Sequence, residues 1–207
     1  LSHWATTSGG NTFHSQAPTA VDDVFFDANS FTNSGQSVTM NESVGYCRNM
    51  NWTGATNVPT FAIQGTNQFY ISGSFTLDPA MHIQYTSIII LNAKTPGHTV
   101  TTAGHLLSRF WFNGTGGEWT LQDTFNSDYA VTLSGGTLNT NDQTINAVEF
   151  SVRVSNALGS VFSSGAALTV NVPPTTEPLV SYEQFVGQDI TIGVSVRGTP
   201  PFAFQWN

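Results

Sequence analysis

The sequence predicts an all-β chain whose larger part is a parallel β-solenoid. Three observations support this. Charged residues make up 9% of the 207 positions, where about 25% is usual for globular domains. Thr and Asn are abundant, with 28 and 17 copies. Short segments rich in Thr, Phe, Ile and Val recur between Gly, Asn and Pro, and none has a helical period over the length that a helix needs.

Composition and charge exclude several functional classes. One Lys and four Arg against 13 acids give a net charge of −8, which leaves no basic face for nucleic acid. The 15 Phe, 5 Trp and 5 Tyr supply more apolar surface than a disordered chain carries. No apolar run approaches the roughly 18 residues of a membrane-spanning helix, so we expect no membrane span.

The first elements are short. Residues 1–35 have the Gly, Pro and Asp content of loops, interrupted by the apolar strand Val24–Phe26. The segment Ser37–Met40 alternates polar and apolar residues, as a half-buried strand does.

The recurring segments indicate the solenoid. Triplets centred on Thr76, Thr99, Thr120 and Thr137 recur at intervals of roughly 20 residues, which is close to one coil of a β-solenoid. In such a coil, inward apolar residues form ladders, outward Thr and Asn stack on their equivalents, and Gly or Asn forms the corners. An antiparallel β-sandwich throughout is the alternative, because its strands also recur at short intervals.

The pattern changes near Asn146. Residues 148–154 alternate strictly, with Val and Phe on one face and polar residues on the other. Further strands are expected at Ala167–Val172, Gln188–Val196 and Phe202–Trp206, and Pro173-Pro174 breaks the chain between the first two. The predicted domains are therefore residues 1–146, 147–174 and 175–207.

The C-terminal part of the chain, from Val152 onward, contains two distinctive segments. The motif Val152-Arg153-Val154-Ser155-Asn156-Ala157-Leu158-Gly159-Ser160, followed by Ala167-Leu168-Thr169-Val170, resembles the two closing strands of a bacterial immunoglobulin-like repeat. The segment Pro178–Trp206 resembles the three opening strands of the next repeat, including its core Trp. Phe150 stands where the family usually has Tyr, so the corner hydroxyl bond of that fold is not expected.

The order of these strands is unusual, because closing strands precede opening strands. Two explanations are open. In the first, the chain is a fragment, or separate pieces of a longer protein joined in one numbering. In the second, the closing and opening strands complete one sandwich in permuted order.

Three segments nearer the front of the chain are also distinctive. The segment Ala17–Phe26, with Trp4 before it, resembles the entry segment of large secreted bacterial surface proteins with autotransporter-type β-helices. Asn51–Gly54 and Gly116–Asp123 resemble repeats of giant surface proteins of Bacteroidota. The resemblance implies an extracellular, cell-surface adhesin or filament component. The implied partners are other copies or modules of the same surface protein, and possible further ones are glycans and host or neighbouring cell surfaces.

Two sets of residues are candidates for ligand binding. Aromatic side chains can form a flat platform that stacks on sugar rings, and the candidates for glycan contact are Trp52, Trp111, Trp119, Tyr70 and Tyr85. Clustered carboxylates on a loop can bind calcium, and the candidates are Asp22, Asp23 and Asp27. Burial in the core and solvated turns are the respective structural alternatives. No other cofactor is expected.

The sequence favours a non-catalytic role. It contains no nucleophile elbow and no glycine-rich nucleotide loop. Cys47 is expected to be a buried core residue. We therefore expect an extracellular structural or adhesive component of a bacterial surface protein or filament. The alternative is a glycan-binding module of a larger carbohydrate-active secreted protein. A third hypothesis, a polysaccharide lyase or hydrolase, would rest on Glu118 and Asp123.

Overall fold

The computed structural model describes residues 4–156, 159–162, 175–176 and 196–197, with side-chain burial for residues 4–153. The chain divides into two units, Leu1–Ala167 and Leu168–Asn207. All regular elements in the described ranges are β-strands. Within those ranges, no helix has the length and apolar character needed to cross a membrane.

The first unit is a parallel β-solenoid of six successive coils. Each coil contributes one strand segment to each of three faces. The strands are β1 Val24–Phe25, β2 Ser37–Met40, β3 Val44–Cys47, β4 Met50–Asn51, β5 Thr60–Ile63, β6 Gln68–Ile71, β7 Phe75–Thr76, β8 His82–Tyr85, β9 Ile88–Leu91, β10 His98–Thr101, β11 Leu106–Leu107, β12 Arg109–Leu121, β13 Phe125–Ser127, β14 Ala130–Asn139, β15 Ile145–Asn146, β16 Glu149–Asn156 and β17 Gly159–Phe162.

The first face is formed by β1, β4, β7, β10 and the C-terminal halves of β12 and β14, all parallel. Its inward column is apolar and buried in the first five coils. The column consists of Val24, Met50, Phe75, Val100 and Leu121, which are successive register partners. The interval from Val100 to Leu121 is shorter than the three before it, so the coils are not of equal length.

The second face runs through β3, β6, β9 and the N-terminal halves of β12, β14 and β16. Its inward side chains include Phe69, Ile89, Phe110 and Val131, each at most 6% exposed. The third face is divided into two parallel sheets, β2-β5-β8 and β11-β13-β15. The three inward columns meet in one hydrophobic core.

Polar side chains connect the coils at the corners. The Asn49 amide donates to Asp23 Oδ1 at 2.7 Å, and the backbone N–H of Ser74 donates to Asn49 Oδ1 at 2.7 Å. The backbone N–H of Thr99 then donates to Ser74 Oγ at 3.0 Å. This series links four consecutive coils and satisfies backbone groups that the short strands leave unpaired.

In β12 and β14, the corner between the second and first faces is rich in glycine. In β12 it lies at Gly114–Gly117, and the backbone of Gly116 has φ +86°. A Cβ at Gly114 would overlap the carbonyl oxygen of Ala93 in the preceding coil. The close stacking of coils here therefore requires residues without a side chain.

The parallel pairing confirms the β-solenoid, and the described strands of the first unit do not form a sandwich. The predicted stacking of the Thr triplets is correct in one step and wrong in two. Thr99 pairs with Thr120, but Thr76 faces Thr101 and Thr137 faces Glu118. Coil lengths differ, so a column of like residues does not follow from their mean spacing.

The parallel ladder extends past residue 146, because Glu149–Val152 of β16 pairs with β14. The remainder of β16 forms an antiparallel hairpin with β17, in which Asn156 faces Gly159. In the second unit, β18 (Thr175–Thr176) pairs with β19 (Val196–Arg197) in antiparallel orientation. The immunoglobulin-like strands expected at 167–172 and 202–206, and residues 188–195 of the strand between them, lie outside the described residues.

Candidate functional site

The outer surface of the second face carries the most exposed aromatic surface on a continuous sheet. Alternate residues of β3, β6, β9 and β12 point away from the core. One outward column contains Tyr46, Tyr70, Ile90 and Trp111, which are register partners in four consecutive coils. We call this column the aromatic ridge. At the strand separation of a β-sheet, three steps give it a length of about 14 Å.

The two tyrosines of the aromatic ridge stack on each other. Their ring centroids are 5.4 Å apart and the rings are inclined by 22°. The Tyr70 hydroxyl donates to Gln68 Oε1 at 2.8 Å, which fixes both side chains on the outer surface. Because the rings face one another, this end of the ridge presents ring edges and hydroxyl groups to solvent.

The other end of the aromatic ridge is Trp111. Its side chain is 41% exposed, whereas the neighbouring Ile90 is only 2% exposed although it points outward. Among the described residues, no aromatic ring stacks on Trp111. The exposed part of the indole therefore offers ring surface to solvent.

A second outward column flanks the ridge and contains Val44, Gln68, Ile88 and Arg109. The guanidinium of Arg109 lies 4.4 Å from the ring centroid of Tyr129 and donates to the Tyr129 hydroxyl at 2.6 Å. Arg109 is the one charged residue among the eight outward positions of these four paired segments. The surface thus combines apolar rings with planar hydrogen-bonding groups.

The structure divides the five aromatic residues that the sequence suggested for glycan contact. Tyr70 and Trp111 lie together on the outer surface. Trp52 and Trp119 are fully buried, and Tyr85 packs against the core with a buried hydroxyl oxygen. These three side chains therefore cannot share an outer platform with the other two.

The buried indoles have structural partners. The Trp52 ring stacks on Phe26 with centroids 4.0 Å apart, and the Trp119 ring meets Phe112 edge-on at 5.5 Å. Both indole nitrogens are buried without a hydrogen-bond partner. Large rings fill the wide interior of a coil. Burying such a ring stabilises the fold by more than the missing indole hydrogen bond destabilises it.

The three aspartates proposed for calcium make separate contacts with segments in and next to the first coil. Asp23 accepts from Arg48 Nε at 2.7 Å and from its Nη2 at 2.5 Å. Asp22 accepts from the backbone N–H and hydroxyl of Thr19, and Asp27 accepts from Ser8. Each carboxylate thus has its own protein donors. No group of three or more His, Cys, Asp or Glu placed to hold a metal ion was found in the described ranges.

These contacts lower the pKa of all three carboxyl groups. The hydrogen bonds from Arg48 hold the pKa of Asp23 below its usual value, and burial acts against them. The hydroxyl of Thr19 lowers the pKa of Asp22, and that of Ser8 lowers the pKa of Asp27. All three groups are therefore carboxylates at neutral pH and act as acceptors at turns.

Other candidate reactive groups are also engaged or buried. Asp123 accepts from the backbone N–H of Thr102 at 2.8 Å and from its hydroxyl at 3.2 Å. Cys47 is fully buried, and burial raises the pKa of its thiol to about 12. These side chains connect or fill coils of the solenoid.

Sequence reasoning missed Tyr46. The residue is 44% exposed and completes the ridge beside Tyr70. The alternation in Val44-Gly45-Tyr46-Cys47 was the available signal, because it places Tyr46 and Cys47 on opposite faces of a strand.

Comparisons with known proteins give no relationship. No protein-family model matches the chain, and neither the curated proteins nor the solved structures that were searched contain a match.

Proposed function

We propose that this chain is an extracellular structural and adhesive component of a bacterial cell-surface protein or filament, without catalytic activity. The observation that carries the proposal is the stack of six parallel coils around one apolar core. Each coil rests on the next through backbone ladders, so the unit is stiff along its axis and few sheet edges are exposed.

The polar side chains support the same interpretation. The carboxylates of Asp23 and Asp123, which are candidates for chemistry by residue type, hold neighbouring coils together. The excess of negative charge suits solubility outside the cell. The low number of charged side chains suits a fold that is held by stacking rather than by ion pairs.

The proposal is tested by locating the protein on cells. Antibodies against the purified chain should label intact, unpermeabilised cells of the source bacterium, and brief protease treatment of those cells should remove the signal. Antibodies against a cytoplasmic protein of the same cells serve as the control. Labelling that requires lysis would contradict the proposal.

A glycan-binding module of a larger carbohydrate-active protein is the second candidate. The position of Tyr70 and Trp111 on one face favours it, because Trp111 is exposed and Tyr70 is partly exposed there. Release of the protein into the medium together with a polysaccharide-degrading activity, without surface labelling, would favour this candidate over the first.

A further inference from the structure

We propose that the aromatic ridge binds an extended, uncharged polysaccharide whose chain lies along the solenoid axis. This inference rests on the proposed adhesive function and names its ligand class. The direction follows from the register, because Tyr46, Tyr70, Ile90 and Trp111 are partners across consecutive coils. The ligand track therefore crosses the strands and spans about 14 Å.

The chemistry of the ridge selects a sugar chain. Pyranose rings present flat C–H surfaces that pack on aromatic rings, and hydroxyl groups that need donors and acceptors. Trp111 supplies an indole on which no described aromatic ring stacks, whereas Ile90, between Trp111 and the tyrosines, is only 2% exposed and offers no contact surface of its own. The hydroxyls of Tyr46 and Tyr70 and the exposed amide of Gln68 supply polar contacts at the far end.

The net charge of the protein favours a neutral polysaccharide as the ligand. The protein carries a net charge of −8, which repels acidic polysaccharides at low ionic strength. Arg109, the one charged outward residue of these segments, is occupied by the ring and hydroxyl of Tyr129. The contact with Tyr129 does not neutralise Arg109, but a single guanidinium can pair with only one charge of a polyanion.

The shape of the ridge selects an extended polymer over a monosaccharide. Trp111 and Tyr46 are separated by three coils, and no single sugar reaches both. Each added sugar unit in a straight chain reaches the next coil. Affinity should therefore rise with chain length until the chain covers the ridge.

The test uses isothermal titration calorimetry of the full chain with cello-oligosaccharides and chito-oligosaccharides, from the disaccharide to the hexasaccharide. We expect affinity for one of these series to rise with length and then level off, and no binding of oligogalacturonate. Trp111→Ala should weaken hexasaccharide binding by about tenfold or more, since an aromatic contact and its buried area are lost together. Tyr46→Phe should weaken the longest oligosaccharides and leave the disaccharide unchanged.

Phe25→Ala is the matched control, because Phe25 is 63% exposed but lies outward on the first face. This variant should bind like the unmodified protein, and circular dichroism should show that all variants are folded. Absence of binding to both neutral series, or equal loss with Phe25→Ala, would overturn the inference. So would sedimentation showing a dimer that dissociates when Trp111 is replaced by Ala. None of these outcomes changes the result of surface labelling, so failure here is distinct from failure of the proposed function.

Discussion

Phe110 and Trp111 are consecutive residues of β12 that point to opposite sides of the sheet. Phe110 is fully buried, and its ring centroid lies 5.0 Å from Phe125, 5.3 Å from Phe112 and 5.9 Å from Phe75. Replacing Phe110 by Ala removes these contacts and leaves a cavity between coils. We expect the free energy of unfolding to fall by about 3–5 kcal/mol.

Trp111→Ala is the comparison for this substitution. The indole is larger than the phenyl ring but is 41% exposed and points away from the core. Removing the indole should lower the free energy of unfolding by about 1 kcal/mol or less, which is close to the range of surface substitutions. Urea denaturation of the full chain, followed by circular dichroism, measures both values under the same conditions.

The difference between the two variants tests the register of β12. A shift of one residue would exchange the inward and outward positions of the strand. Equal losses, or a larger loss for Trp111→Ala than for Phe110→Ala, would refute the assignment of faces and with it the position of the aromatic ridge.

Three further predictions concern the corners and the first coil. Gly114→Ala should destabilise the protein by about 1–3 kcal/mol in urea denaturation, because the new Cβ meets the preceding coil; Gly135→Ala should be tolerated, because its Cβ has ordinary contacts. The pKa of Asp23 is lower in the folded state than in the unfolded state. The contribution of its carboxylate to the free energy of unfolding is therefore complete above the unfolded pKa of about 3.9, and it is lost as the pH falls through the lower folded value. Asp23→Asn should therefore lose less stability between pH 7 and pH 3 than the unmodified protein, and an equal loss would contradict this. Cys47 should not react with a thiol reagent until urea unfolds the chain, and rapid labelling of the folded protein would contradict its burial.

The general architecture could be predicted because it depends on local signals. Alternating apolar residues in β5 and β6 specify strands, and the scarcity of charge together with recurring Thr and Asn favours stacked coils. The stacking of Thr99 on Thr120 is one specific pair that followed from spacing alone.

The register and the site could not be predicted in full, because coil length varies. The coil from Phe75 to Val100 is longer than the coil from Val100 to Leu121. Mean spacing therefore misplaced Thr76 and Thr137. The aspartates were grouped because they are close in sequence, but separate donors hold each of them.

The sequence by itself determined that the chain forms stacked strands with aromatic side chains, and the tertiary structure decided which of those side chains reach solvent. Trp111 and Trp119 are separated by an even number of positions in one strand, so strict alternation places them on the same side. Between them, the register with β14 shifts and Gly116 adopts a positive φ. This corner reverses the alternation, so that Trp111 lies on the surface and Trp119 in the core. The reversal arises because the coil must turn where it packs against Ala93 of the coil before it, and that contact exists only in the folded molecule.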